Sequence, residues 1–287
     1  MQIRPIEPQD IAACVEVFYE ADEELTLRHN LPPSPRNEER MVRVFTDIAA
    51  TTPHRAWLAE ESGRVDAFGM AIERGDLTFL SFLFVRTTAQ AGGIGRALFE
   101  RCMPLDGFRG TCIWSIQPVS AGLYASYGLV PRTPIYSFAG RPKRELPKLP
   151  RGLDLGTIDE ATMDAFDREV LGITRPQDLS NWLSWGRRPL ALVSGAETVG
   201  YGCIDPVGRI GPVVVRHEEH LLPFLGSLLA QLDPPDAWLI QVPGVAAETF
   251  TALLRAGMRF DGAPVIYCAT EDRIDHRRYL PAGFALP

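Results

Sequence analysis

The chain has 287 residues, enough for two ordinary domains, and its 46% hydrophobic and 23% charged residues are typical of a globular protein with apolar cores. A formal net charge of −7 argues against a nucleic-acid-binding surface, which needs a basic stripe. No segment supplies the roughly 18 to 20 apolar residues of a membrane helix, and no signal peptide is evident after Met1. Five scattered cysteines are typical of reduced thiols. We therefore expect a cytoplasmic protein without nucleic-acid or membrane partners.

The first predicted elements are two helices within residues 10–50. Helix-forming residues dominate this region, and the segment Leu31-Pro32-Pro33-Ser34-Pro35 divides it in two. The apolar run from Leu77 to Val85, dense in aromatic residues, then predicts a buried strand.

Three glycines follow this strand, and the helical spacing of Ile94, Leu98 and Cys102 predicts a helix directly after them. Glycines at such a junction let the backbone approach a ligand closely, and the helix start favours an anion such as a pyrophosphate. The spacing Gln90-x-x-Gly93-x-Gly95 is neither the dinucleotide fingerprint nor a P-loop. Both nucleotide-binding interpretations are therefore disfavoured.

A second pattern lies downstream of the glycines. Residues from Gly110 to Gln117 are predicted to form a strand that Pro118 closes, and a short helix from Ser120 to Tyr127 is predicted to end at Gly128. Tyr124 lies four residues before that glycine.

Together the two patterns resemble the GNAT superfamily of acyl-CoA-dependent N-acetyltransferases. The segment Leu123-Tyr124-Ala125-Ser126-Tyr127-Gly128-Leu129 matches the family's second motif, although Gln117 stands where Asn is usual and Ser120 where Ala is usual. The resemblance implies an α/β fold with a mixed, twisted sheet flanked by helices. It also implies that the fourth and fifth strands splay apart to admit the pantetheine arm of acetyl-CoA.

The resemblance further implies which residues bind the donor. Main-chain groups of the loop would hold the pyrophosphate, with Arg96 and also Arg86 or Arg101 adding charge, and backbone groups near the end of the fourth strand would pair with pantetheine. The complete predicted set is Phe84, Val85, Gln90, Ala91, Gly92, Gly93, Ile94, Gly95 and Arg96. No metal is implied, because His217 and His220 have no evident third ligand.

Tyr124 is placed by the resemblance as the residue that returns a proton to the departing coenzyme A thiolate. The alternatives are that Tyr124 is a core aromatic or that Tyr127 substitutes for it. No carboxylate on the predicted fourth strand can act as general base. The candidates nearby are Glu73, Asp76, Glu23 and Glu24, and each is also consistent with a solvated surface charge.

A proline-rich basic segment from Gly140 to Gly152 predicts a linker between two domains, 1–145 and 150–287. Landmarks recur in the second half with spacings that differ by one position: Gly69, Val85 and Gly128 correspond to Gly200, Val215 and Gly257. This resembles a tandem pair of GNAT-like domains. The second copy is predicted to be degenerate, because Arg216–Leu221 contains two carboxylates and no glycine, and Leu253 replaces the tyrosine.

Three hypotheses follow for the function. The first is an N-acetyltransferase that transfers acetyl from acetyl-CoA to a primary amine of a small molecule or peptide, within a ternary complex in the N-terminal domain. The second is a non-catalytic acyl-CoA-binding sensor or scaffold. The third makes the C-terminal half a ligand-binding domain that regulates the first. A homodimer is compatible with each.

Overall fold

The secondary structure was obtained from a computed structural model that describes residues 1–90, 92–234 and 236–285. In chain order the elements are β1 (Gln2–Pro5), α1 (Ile11–Arg28), α2 (Glu38–Thr51), β2 (Ala56–Glu61), β3 (Arg64–Arg74), β4 (Leu77–Val85), α3 (Ile94–Cys102), β5 (Phe108–Trp114), α4 (Pro118–Ala125), β6 (Val130–Gly140), β7 (Leu153–Gly156), α5 (Glu160–Val170), α6 (Pro176–Ser184), β8 (Arg188–Ser194), β9 (Glu197–Ile204), β10 (Arg209–Val215), α7 (Leu221–Leu229), β11 (Trp238–Pro243), α8 (Ala247–Arg255), β12 (Arg259–Phe260), β13 (Val265–Ala269) and β14 (Tyr279–Leu280). None of the helices in the described residues combines the length and apolar character that crossing a membrane requires.

The described residues form two compact units. The first unit comprises the described residues within 1–112, 116–130 and 268–271. The second unit comprises the described residues within 113–115, 131–267 and 272–287. These units differ from the predicted domain limits of 1–145 and 150–287. The strand β6 joins the second unit because it pairs with β11 from Ile135 to Gly140.

Residues 268–271 join the first unit through β5. The amide of Thr270 donates to the Arg109 carbonyl at 2.9 Å, and the Arg109 amide donates to the Thr270 hydroxyl at 3.0 Å. A boundary drawn from linker composition cannot reveal such a pairing, because its partners are far apart in the sequence.

The first unit contains a mixed sheet in the order β1-β2-β3-β4-β5. All neighbouring strands are antiparallel except β4 and β5, which are parallel. The predicted pair of N-terminal helices is confirmed by α1 and α2, and the predicted fourth strand is confirmed as β4. The helix α4 begins at Pro118, two residues earlier than predicted, because proline suits the first turn of a helix.

Helices cover both faces of β4. On one face Phe82 and Phe84 contact Phe18 of α1, with ring centroids 6.1 and 4.9 Å apart. On the other face, Leu83 and Val85 pack with Leu98 and Ile94 of α3. The alternation of side chains along a strand therefore separates an aromatic layer under α1 from an aliphatic layer under α3.

The second unit repeats this order of elements. Its sheet runs β6-β11-β10-β9-β8-β7, with β12 beside β6 and β14 beside β10. In the second unit β9 and β10 form an antiparallel pair, α7 follows, and β11 is parallel to β10. The first unit has the same order, with the antiparallel pair β3 and β4, then α3, then β5 parallel to β4. The repeated order agrees with the spacing of the sequence landmarks.

A buried ion pair lies in the second unit. The guanidinium of Arg175 donates to Asp167 at 2.7 Å and to the hydroxyl groups of Tyr279 at 2.8 Å and Tyr201 at 3.1 Å. Both charged side chains have an exposed fraction of 0%. Removing one member of such a pair leaves the other charge buried without compensation.

We expect Arg175→Leu to lower the free energy of unfolding by about 3–5 kcal/mol, since Asp167 loses its cationic partner. The control is Arg168→Leu, which removes a pair with Asp164 in which the arginine is 63% exposed, and about 0.5 kcal/mol is expected there. Urea unfolding of both variants measures the difference. Equal, small losses in the two variants would contradict this account.

Candidate functional site

The predicted glycine loop connects β4 to α3. A short 3-10 helix spans Thr87–Ala89, and the side-chain amide of Gln90 donates back to the Val85 carbonyl at 3.1 Å. Gln90 thus holds the loop against the end of β4. Ala91, which was also predicted to bind the donor, lies outside the described residues.

The three glycines of the loop differ in whether backbone conformation or packing requires glycine at that position. Gly93 precedes α3 with a φ of 76°, a left-handed conformation that favours glycine. A Cβ at Gly92 would come no closer than 3.9 Å to another atom, and one at Gly95 would lie 3.7 Å from Val85, an ordinary contact. By contrast, a Cβ at Gly69 would lie 2.8 Å from the Cys102 sulfur. Internal packing therefore requires glycine at 69 but leaves room at 92 and 95.

The first turn of α3 presents main-chain donors beside this space. The Ala97 amide makes the first helical hydrogen bond, to the Gly93 carbonyl at 3.0 Å. The amides of residues 94–96 therefore precede the hydrogen-bonded turns of the helix. Gly93 supplies no capping side chain. These N–H groups and the positive end of the helix dipole suit an anionic group.

Of the three predicted arginines, Arg96 lies on this first turn. Its guanidinium donates to the Tyr127 hydroxyl at 3.2 Å, and that hydroxyl in turn donates to Glu100. Arg101 donates instead to the Ala97 carbonyl at 3.2 Å, within its own helix.

The side chain of Arg86, the third predicted cation, contacts α1 and β3 rather than the described residues of the glycine loop. It forms an ion pair with Glu20 and donates to the Val65 carbonyl at 3.0 Å. Arg86 thus ties α1 and β3 to the end of β4.

One edge of β4 is open beyond its middle. Its pairing with β5 covers Leu77 to Leu80 only, and the Thr111 hydroxyl donates to the Leu80 carbonyl at 2.9 Å where that pairing ends. A bulge at Ser81 follows, because Met70 pairs with Phe82 whereas Ala71 pairs with Leu80. Within the first unit's described residues, no strand pairs with this edge from Ser81 to Val85. The predicted splay of these two strands is therefore present.

The register with β3 determines which main-chain groups face the open edge. The Arg86 amide donates to the Asp66 carbonyl at 2.8 Å, and hydrogen-bonded residues alternate along an antiparallel pair. Phe84 therefore directs its backbone groups toward β3, while Leu83 and Val85 direct theirs toward the open edge. Phe84 and Val85 were both predicted to bind the donor through backbone groups, but the backbone groups of Phe84 pair with β3 and only those of Leu83 and Val85 face the open edge. A period of two counted from Val85 would have indicated Leu83.

Tyr124 lies on α4 and is 5% exposed. Its ring stacks on Phe99 of α3 with centroids 5.4 Å apart. Burial, with smaller contributions from the nearby thiols of Cys102 and Cys268, raises the pKa of Tyr124. The phenol therefore keeps its proton at neutral pH. Cys268 belongs to the segment 268–271, which the sequence did not associate with this site.

The candidate general bases are not equivalent. Glu73 accepts hydrogen bonds from His54 at 3.1 Å and Arg55 at 3.0 Å. Although partial burial acts to raise the pKa of Glu73, these two partners outweigh it and the pKa is lowered. Such a carboxylate is a weak base.

The other candidates lie on α1 and in a turn. Glu24 accepts hydrogen bonds from Thr87 and, at 2.5 Å, from Arg28. Glu23 is exposed on α1, and Asp76 is exposed in the turn between β3 and β4. Among the residues that the structure describes, no group of three or more His, Cys, Asp or Glu is arranged to hold a metal ion.

The corresponding loop of the second unit has a different character. After Val215, Arg216 pairs with Glu169 at 3.0 Å and with Glu197, and a 3-10 helix spans Glu218–His220 before α7. Leu253, which aligns with Tyr124, is 0% exposed. This loop contains no glycine and carries two carboxylates, Glu218 and Glu219, in the 3-10 helix directly before α7.

Comparison with known proteins gives likeness in structure only. No family model and no curated protein sequence matches the chain. A candidate acetyltransferase from Pyrococcus horikoshii aligns over 100% of this chain and 95% of its own, with a TM-score of 0.78 and 19% identity. A GCN5-related N-acetyltransferase from Sphaerobacter thermophilus aligns over 96% and 98%, with a TM-score of 0.64 and 17% identity.

A third solved structure is a tandem GNAT protein from the clavulanic acid biosynthesis pathway. It aligns over 93% of this chain and 97% of its own, with a TM-score of 0.59 and 16% identity. The fold is therefore that of the GNAT acyltransferases in a tandem arrangement, as the sequence motifs predicted.

Proposed function

We propose that this chain is an N-acetyltransferase that transfers the acetyl group of acetyl-CoA to a primary amine of a small molecule or peptide. The amine attacks directly in a ternary complex, and the reaction takes place in the first unit. The observation that carries the proposal is the room left at Gly92 and Gly95 in front of the amides that begin α3.

The residues of the first unit fit such a donor. Amides of residues 92–96, together with the predicted Ala91, would hold the pyrophosphate, and Arg96 would add a charge-assisted contact. Main-chain groups of Leu83 and Val85 would pair with the pantetheine amides along the open edge of β4. Because almost all of these groups belong to the backbone, the fit depends on small side chains rather than on particular ones.

Acetyl-CoA supplies an activated acetyl group to this site. The amine nitrogen forms the new bond to the carbonyl carbon, the carbon–sulfur bond breaks, and its electron pair stays on sulfur. Tyr124 donates a proton to that sulfur, and the proton that the nitrogen loses on forming the amide returns through solvent to the phenol. Burial raises the pKa of Tyr124, so the phenol holds its proton until a basic thiolate forms, although it is a weaker acid than an exposed tyrosine.

A non-catalytic acyl-CoA sensor is the second candidate. It is favoured by the absence of a poised carboxylate among the described candidates, because Glu73 has a lowered pKa and Glu24 is held by Thr87 and Arg28. Under this alternative the loop binds acyl-CoA and the tyrosine only packs against Phe99.

Thiol release from acetyl-CoA over a panel of primary amines separates the two functions. We expect catalytic release with at least one amine, together with the acetylated amine detected by mass spectrometry. Binding of coenzyme A in calorimetry with release at the background rate over the whole panel would favour the sensor. No coenzyme A binding would remove both.

A further inference from the structure

The strand β10 of the second unit has both of its edges occupied. One edge pairs with β9 along Val213–Val215. Among the described residues, the other edge pairs with β11 only at Arg209 and Ile210, and beyond that point it pairs with the C-terminal strand β14. Because β9 occupies one edge of β10, β14 lies on the other edge, beyond the point where the pairing with β11 ends.

This position corresponds to the open edge of β4. By the spacing of the landmarks, Val213 and Val215 correspond to Leu83 and Val85. The Val215 amide donates to the Arg278 carbonyl at 3.0 Å, and Val213 pairs with Leu280. An extended piece of the chain therefore makes, in the second unit, the backbone contacts that Leu83 and Val85 leave open in the first.

The C-terminal strand is held by polar and steric contacts. Tyr279 is 0% exposed, and its hydroxyl accepts a hydrogen bond from Arg175 at 2.8 Å. The guanidinium also lies 5.3 Å from the centre of the Tyr279 ring. Because this hydroxyl meets its donor in one register only, the contact opposes sliding of the strand.

Backbone packing at Gly211 is a second, independent indication that the C-terminal tail, residues 278–282, belongs in the slot between β10 and β11. A Cβ on Gly211 would lie 2.4 Å from the Pro281 carbonyl oxygen and 3.1 Å from Ala282 Cα. The tail thus approaches β10 as closely as a glycine allows.

We infer that residues Arg278–Leu280 are a built-in occupant of the second unit's slot between β10 and β11, and that they close it to acyl donors. The chain then binds one donor, in the first unit. That such a slot would accept an acyl donor rests on the proposed function. That the slot is filled by the chain itself rests on the strand pairing alone.

Calorimetric titration of the full chain with coenzyme A measures the stoichiometry. One coenzyme A per chain is expected. Two per chain would overturn the inference and leave the proposed function intact. None would overturn the proposed function, and the exchange measurement below then decides the inference.

Hydrogen exchange followed by mass spectrometry tests the occupied slot directly. In the full-length chain, the peptide containing Val215 is expected to exchange as slowly as the peptides of β9, and saturating coenzyme A should not change its exchange rate. The peptide containing Leu83 and Val85 should exchange more slowly with coenzyme A. Fast exchange at Val215, or protection gained there with coenzyme A, would overturn the inference.

Gly211→Ala offers a variant that displaces the tail, with Gly140→Ala as its control. Both positions have a φ above 100°, at 140° and 122°, but a Cβ at Gly140 would meet only Met258 Cα at 3.8 Å. We expect exchange at Val215 to accelerate by about tenfold or more in Gly211→Ala relative to Gly140→Ala. Equal rates would overturn the inference. Should Gly211→Ala fail to fold, the exchange of the unmodified chain decides.

Discussion

Replacing Tyr124 by phenylalanine is expected to lower kcat by about 10²–10⁴-fold, because the departing thiolate loses its proton donor. The KM for acetyl-CoA should change little, since the hydroxyl acts on the leaving group. Stability should be retained because the ring still stacks on Phe99 at 5.4 Å. Steady-state kinetics with the best amine of the panel provide both constants.

The pH dependence of kcat gives the same prediction a second readout. A tyrosine donates only in its protonated form, and burial raises the pKa of Tyr124 above its ordinary value of 10. Loss of the proton from Tyr124 should therefore not reduce kcat until the pH is above 10. A fall centred at or below pH 10 that disappears in Tyr124→Phe would contradict the effect of burial.

Tyr127→Phe is the matched control. The Tyr127 hydroxyl donates to Glu100 and accepts from Arg96 at 3.2 Å, so it is already engaged at the surface of α3. We expect less than about a tenfold change in kcat, which is smaller than the loss of a general acid. Should Tyr127→Phe abolish turnover while Tyr124→Phe retains it, Tyr127 is the proton donor.

The second large effect is expected from Gly95→Ala. A methyl group there meets Val85 at an ordinary 3.7 Å, so the fold accepts it. We expect this group to narrow the space that the pyrophosphate would take in front of the donors. Coenzyme A affinity should fall by about tenfold or more, as expected when a close-fitting contact is overfilled. The free energy of unfolding should stay equal or rise by up to about 1 kcal/mol, because alanine favours helix over glycine.

Calorimetry and urea unfolding measure the two quantities on one preparation. Gly283→Ala is the control, because a Cβ there meets no atom within 4 Å and lies far along the chain from the loop. It should leave coenzyme A affinity unchanged. If Gly95→Ala binds coenzyme A as tightly as the unmodified chain, the pyrophosphate does not lie at this turn.

The elements around the candidate site were predictable because their signals are local. An apolar run ending at Val85, glycines after it and periodic apolar residues from Ile94 are enough to place β4, the loop and α3. The same holds for α4, whose C-terminal turn depends on Gly128 at a φ of 84°. Side-chain type and spacing within some twenty residues carry this information.

Other features depend on partners that are distant in the sequence. The direction of the backbone groups of Leu83 follows from the register with β3, which a single strand does not reveal. The membership of residues 268–271 in the first unit likewise follows from their pairing with Arg109. Composition near Thr270 carries no signal of its pairing with Arg109.

The sequence by itself determined the position of the glycine loop from short-range spacing. Through the resemblance of two short motifs to the GNAT superfamily, it also predicted the fold class and the candidate Tyr124. Only the tertiary structure decided which backbone groups face the open edge of β4 and that β14 covers the corresponding edge of β10. Both edges belong to strands with similar apolar sequences. What distinguishes them is a pairing with residues more than sixty positions away, and such pairing is set by packing in three dimensions.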